Sequence, residues 1–139
     1  MQRWRFAIFL LSASFATAFL AAQNIQTETP DVVAGKKTYM EYCAACHGED
    51  ARGMGPAASA LKTPPANLTT LAKRHDGKFP EDYVTKIVRF GQPIQAHGSA
   101  DMPVWGPIFN TRDKFNELAV RQRIKNLCQY LATLQEKES

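Results

Sequence analysis

Val120, Ile124, Leu127, Leu131 and Leu134 recur every three or four residues, with Arg121, Gln122, Lys125 and Gln135 between them. That period puts the apolar side chains on one face of a helix predicted over residues 114–135. A second helix is predicted over residues 80–90. Pro80 stands near its start, Glu81 and Asp82 fall in its first turn, Tyr83, Ile87 and Phe90 form a stripe, and Gly91 takes the position just past its end. A third begins with Asp31 as N-cap and brings Val32, Gly35, Tyr39 and Tyr42 near one face. Gly35 inside that helix costs roughly 1 kcal/mol relative to alanine, which close approach of another helix would explain.

Between these segments the punctuation changes. Residues 48–70 hold Gly53-Met54-Gly55-Pro56 and Pro64-Pro65, and residues 92–110 hold Pro93, Pro103 and Pro107; both read as loops. Ordered loops of that length need something to pack on. No strand alternation and no repeat is evident, so the predicted fold class is all-α: three to four helices with long loops around a buried group.

The N-terminal pattern is of another kind. Arg3, Trp4 and Arg5 precede an uncharged, mostly apolar run over residues 6–22 that closes in Ala16-Thr17-Ala18 and Ala21-Ala22. Basic, apolar, then small is the order of a secretory signal. Such a run is at the short limit for a membrane span, and Ser12, Ser14 and Thr17 weaken it further, so an uncleaved anchor is the lesser alternative. The expected organisation is a signal over residues 1–22, a polar lead-in over 23–31 and one domain over 32–139. The expected location is the periplasm, with membrane contact only if the first segment stays uncleaved.

Charge removes one class of partner. The formal net charge is +4, but Arg3 and Arg5 belong to the signal, which leaves 15 basic against 13 acidic residues beyond it. A domain that close to neutrality has no compositional support for nucleic-acid binding.

Cys43-Ala44-Ala45-Cys46-His47 carries the chemistry. C-x-x-C-H is the attachment signature of a c-type haem: two thiols each add across a vinyl group, and the following imidazole binds the iron. A thioredoxin-like pair would want a thiol at a helix N-terminus, whereas this pair ends a helical pattern. A structural zinc site would want four ligands, and there is no second C-x-x-C or paired-histidine motif. The third cysteine, Cys128, shares a stripe with Ile124 and Leu131 and reads as a small buried hydrophobe, with a disulfide across a dimer as the sharper alternative.

The second axial ligand has several candidates. Met40 lies one turn before Cys43, and Met54 only seven residues past His47. Met102 lies far enough along to wrap to the opposite face, and Pro103 stiffens the backbone beside it. His97 shares that loop, and His75 is a further imidazole.

Taken together, the C-x-x-C-H motif, Gly53-Met54-Gly55-Pro56, Met102-Pro103-Val104-Trp105 and a terminal helix with Leu127, Tyr130, Leu131 and Leu134 resemble a class I cytochrome c over residues 32–136. The resemblance implies one covalently attached haem c with His47 and Met102 as metal ligands. It implies that the first and last helices cross where Gly35, Tyr39 and Tyr130 meet. It further implies that the Pro56 carbonyl orients the proximal histidine, that Trp105 packs near the haem propionates and that Arg89 pairs with one of them. The implied function is one-electron transfer in a periplasmic redox or respiratory chain, not an enzyme activity. Its partners would be redox proteins: a dehydrogenase, an oxidase or another cytochrome. The alternatives are an electron-transfer subunit of a dehydrogenase or oxidase complex and, from another class, a haem peroxidase with an open iron position.

Overall fold

A computed structural model describes residues 29–91 and 102–137. The segment read as an export signal and His97 lie outside the described residues. Among the described residues there are five α-helices and no strand: α1 (Pro30–Tyr42), α2 (Ala44–His47), α3 (Glu81–Phe90), α4 (Trp105–Arg112) and α5 (Glu117–Thr133). Short 3-10 turns at Ala58–Ala60 and Lys73–His75 punctuate the loop between α2 and α3. No described helix is long and apolar enough to cross a membrane.

The core forms where α1 crosses α5. On α5, Val120, Ile124, Leu127, Cys128 and Leu131 are buried, as the period of that segment predicts; Tyr130 is buried beside them, and Leu134 of the expected stripe only partly. Gly35 is the contact point on α1: a β-carbon there would stand 2.0 Å from the Asn126 carbonyl oxygen and 2.9 Å from Tyr130 Cβ. The Tyr39 and Tyr130 rings meet beside it, centroids 5.5 Å apart. The mid-helix glycine thus answers to the helix crossing.

Several boundaries differ from the sequence expectation. Thr29, not Asp31, caps α1, its side chain accepting from the Val32 N–H, while Pro30 occupies the first turn, where a missing N–H costs nothing. The last helix starts at Glu117 rather than near residue 114. Lys114 and Phe115 take positive φ (53° and 59°), and the Asn116 side chain then caps the Leu118 and Ala119 N–H groups. On α3 the buried pair is Val84 and Val88, four residues apart, whereas Tyr83 and Phe90 of the expected stripe are exposed. Helix α4 begins inside the segment read as loop and runs two residues past it.

Candidate functional site

The two motif cysteines sit on one helical turn at the junction of α1 and α2. Cys43 ends α1, donating its N–H to the Tyr39 carbonyl at 2.8 Å, and its own carbonyl accepts from Cys46 N–H (3.1 Å) and His47 N–H (2.9 Å). Side chains three apart on a helix lie on one face. Both thiols are free and partly accessible. Burial, with the neighbouring Cys46 adding to it, pushes the Cys43 thiol up to about 12, the opposite of the depressed value a redox C-x-x-C needs.

The motif ends in a backbone clamp. The helix carbonyls that have no partner within α2 accept from the loop that follows: Ala44 from Gly48 (2.8 Å), Ala45 from Ala57 (2.8 Å), Cys46 from Gly55 (3.0 Å) and His47 from Gly53 (2.7 Å). The glycines are needed for this. A β-carbon on Gly55 would lie 2.4 Å from the Ala45 carbonyl oxygen, and one on Gly53 would lie 2.3 Å from the Pro65 carbonyl oxygen. Tyr39, wholly buried, donates its hydroxyl to the Gly48 carbonyl at 2.6 Å and ties the clamp back to α1.

His47 is oriented by a carbonyl, and it is not the expected one. Nδ1 lies 3.0 Å from the Ala66 carbonyl oxygen. Since a carbonyl only accepts, Nδ1 carries the hydrogen and Nε2 keeps its lone pair. Burial pulls the histidine below its ordinary value, with the bond to Ala66 acting the other way, and this favours the neutral, ligating form. The role assigned to Pro56 therefore passes to Ala66, ten residues further on. Pro56 is exposed on the stretch clamped to α2, while the chain returns to the imidazole only at residue 66. A backbone acceptor has no side-chain signature, and nothing in the sequence marks Ala66.

Met102 is half-buried just ahead of α4. Helix α4, which follows it, packs on α3 and α5 and meets α1 through side chains. Trp105 meets Tyr42 edge-on (5.3 Å) and stacks on Phe109 (5.8 Å), and Phe109 in turn meets Tyr42 (5.1 Å). Gly106 lets α4 approach α3, since a β-carbon there would be 2.2 Å from the Arg89 carbonyl oxygen. Arg123 holds Asp113 through Nε (2.9 Å) and Nη2 (2.5 Å), and Arg112 pairs with Glu41 on α1 at 2.8 Å. Of the other methionines, Met54 is 82% exposed on the clamp that follows His47. Arg89, expected at a propionate, is already paired with Glu117, and its guanidinium lies over the Phe90 ring at 5.1 Å.

The donors brought together suit a macrocycle better than a bare ion: two thiols on one helical face and one neutral imidazole with a free nitrogen. No group of three or more His, Cys, Asp or Glu side chains among the described residues gathers around a common ion position. An all-α domain with this arrangement is a c-type cytochrome domain. A family profile described as cytochrome C oxidase, cbb3-type, subunit III matches residues 30–119, and the chain belongs to that family. Its members bind covalently attached haem c, which is the cofactor of this domain and makes it an electron-transfer module. No curated protein and no solved structure matches the chain.

Proposed function

We propose that the chain is a one-electron carrier working through a six-coordinate haem c, with Cys43 and Cys46 as the thioether residues, His47 on one side of the iron and Met102 on the other, on the periplasmic side of a bacterial inner membrane. The observation that carries this is His47 itself: it follows the second cysteine directly, and Ala66 fixes its Nδ1–H so that Nε2 is the free donor. The haem supplies the Fe(III)/Fe(II) couple, and a soft thioether ligand raises its potential.

The chain's own residues support the Met102 assignment by reach. Trp105 touches Tyr42, the neighbour of Cys43, and three residues of chain span at most about 10 Å, so Met102 is within range of the motif. Val104 (42% exposed) comes within 2.9 Å of where a β-carbon on Gly91 would stand, and Phe90 (67% exposed) precedes that glycine, which leaves two exposed apolar side chains suited to face a macrocycle. Trp105 near the propionates belongs to the same proposal. Arg89 could serve there only by leaving Glu117.

A second reading keeps this site and changes the partner: an electron-entry subunit of an oxidase complex. The description of the matching family favours it. A peroxidase would need Met102 displaced from the iron. The test is direct. Haem should survive acid-acetone extraction and add one haem mass to the polypeptide. Met102→Ala should abolish the Fe(III)–thioether band at the red end of the visible spectrum and lower the potential, while Met54→Leu and His97→Ala keep the band. Haem that extracts freely refutes the attachment, and a band that outlasts Met102 refutes the ligand. Co-purification of an oxidase with the native protein would select the subunit reading.

A further inference from the structure

We propose that the segment after α5 latches the proximal loop, with Gln135 and Glu136 acting as positioning residues that hold the Ala66 carbonyl on His47 and so help set the reduction potential. This rests on His47 being the iron ligand.

The loop of residues 61–72 contains no regular element apart from turns, yet its Ala66 carbonyl must stay within hydrogen-bond range of an imidazole. Two local contacts help: the Leu68 N–H donates to the Ala51 carbonyl (2.8 Å), and the Arg74 guanidinium donates to the Asn67 carbonyl (2.7 Å). Further contacts come from the far end of the chain. Gln135 uses both ends of its amide. Oε1 accepts from the Ala72 N–H (2.8 Å), while Nε2 donates to the carbonyls of Leu68 (2.9 Å) and Leu131 (2.8 Å). The side chain therefore bridges the last turn of α5 to two points in the second half of the loop.

Glu136 adds a second row. Its N–H donates to the Thr69 carbonyl at 2.8 Å, and its Oε1 lies 3.1 Å from Thr69 Oγ1 and 3.1 Å from an Arg52 Nη1. Thr69 is buried, and its hydroxyl hydrogen is shared between Glu136 and Asn67 Oδ1 (2.8 Å), the acceptor that also takes the Thr69 N–H (2.8 Å). Asn67 directly follows Ala66. Every residue from 67 to 69 is thus tied to one of two positions more than sixty residues away, or to a neighbour that is.

The consequence for the iron follows from what the Nδ1–H bond does. A carbonyl accepting that hydrogen makes the imidazole a stronger donor through Nε2, which favours Fe(III). Loosening the latch lets Ala66 drift, weakens that push and raises the potential.

The haem-loaded full chain tests this with Gln135→Ala. Loss of its two bonds to the loop should speed solvent exchange of the His47 Nδ1–H, followed by NMR in the reduced state, by at least about tenfold. The midpoint potential should rise with it. Glu136→Gln, which keeps the backbone donor and an acceptor for Thr69, should stay near wild type in both readouts. Val120→Ala is the control: it weakens α5 about 20 Å along the helix from its last residue, Thr133, and should lower the melting temperature without moving either readout. If Gln135→Ala yields no folded protein, Gln135→Met keeps the stem, removes both polar ends and carries the same test. Wild-type exchange and potential in a Gln135 variant that melts early would overturn the proposal and leave the latch merely structural. A wild-type protein without covalent haem would fail the functional reading first, and the latch with it.

Discussion

Replacing Gly35 by alanine tests the framework that positions the motif. The new β-carbon would lie 2.0 Å from the Asn126 carbonyl oxygen, 2.6 Å from its carbon and 2.9 Å from Tyr130 Cβ. Ordinary contact begins near 3.4 Å, so α1 and α5 must part by about 1.4 Å at their crossing. Two of the three obstructing atoms are backbone and cannot rotate away. Overpacking of a fitted core costs about 1–3 kcal/mol, and rigid neighbours put this case at about 3. Alanine recovers about 1 kcal/mol of helix propensity, which leaves a net loss of about 2 kcal/mol. For a domain this small, that corresponds to a fall of about 8–16 °C in melting temperature. Thermal unfolding of the haem-loaded protein by circular dichroism measures it, and the near-ultraviolet signal of Tyr39 and Tyr130 should change as their rings separate. A melting temperature at or above wild type would mean the helices do not cross at this glycine.

Three further outcomes are expected. Tyr39→Phe removes a buried hydroxyl that donates to the Gly48 carbonyl, and should cost about 1 kcal/mol, read as a lower urea midpoint at unchanged slope. Cys43→Ala should keep one haem through Cys46 with a single thioether, so the mass changes by the substitution alone and the reduced α-band moves to the red. The Arg123 hydrogen bonds hold the Asp113 carboxyl below the usual carboxylate range, so its contribution is present above the unfolded value near pH 4 and is lost as pH falls through the folded value. Melting of wild type and Asp113→Asn from pH 7 downwards should therefore converge in acid; a constant gap would refute the linkage.

How far the sequence speaks differs by element. The α5 face is legible because its apolar period runs through the whole helix and nothing competes with it. Gly35 is legible because a glycine inside a helix needs a reason, and close approach is the common one. Helix α4 was hidden by Pro103 and Pro107, which read as loop punctuation. Pro107 in fact sits in the first turn, where its missing N–H does no harm, and the Trp105–Phe109 spacing of four was the available clue. On α3, Val84 and Val88 compete with Tyr83, Ile87 and Phe90 one position round the helix, and only packing on α4 and α5 decides which stripe is covered. The Ala66 carbonyl was out of reach in principle, since a backbone acceptor looks the same at every residue.

The two sides of the site are held by different kinds of bond, and this bears on what each can tolerate. Around His47 the clamp is almost wholly backbone: Gly48, Gly53, Gly55 and Ala57 donate to successive carbonyls of α2, and Ala66 accepts from the ring. Truncating a side chain of the clamp residues themselves leaves these bonds in place, whereas added bulk at Gly53 or Gly55 would break them. The Met102 segment is held by side chains instead: the Tyr42, Trp105 and Phe109 rings, Arg112 on Glu41 and Arg123 on Asp113. Each of those can be deleted by one substitution. On the ligation proposed above, a histidine side fixed mostly by backbone and a Met102 side fixed by exchangeable side chains would make the Met102 side the one where a ligand can be lost while the haem stays attached. On that proposal, the step from an electron carrier to a peroxidase would be taken at the segment leading into α4, not at the motif.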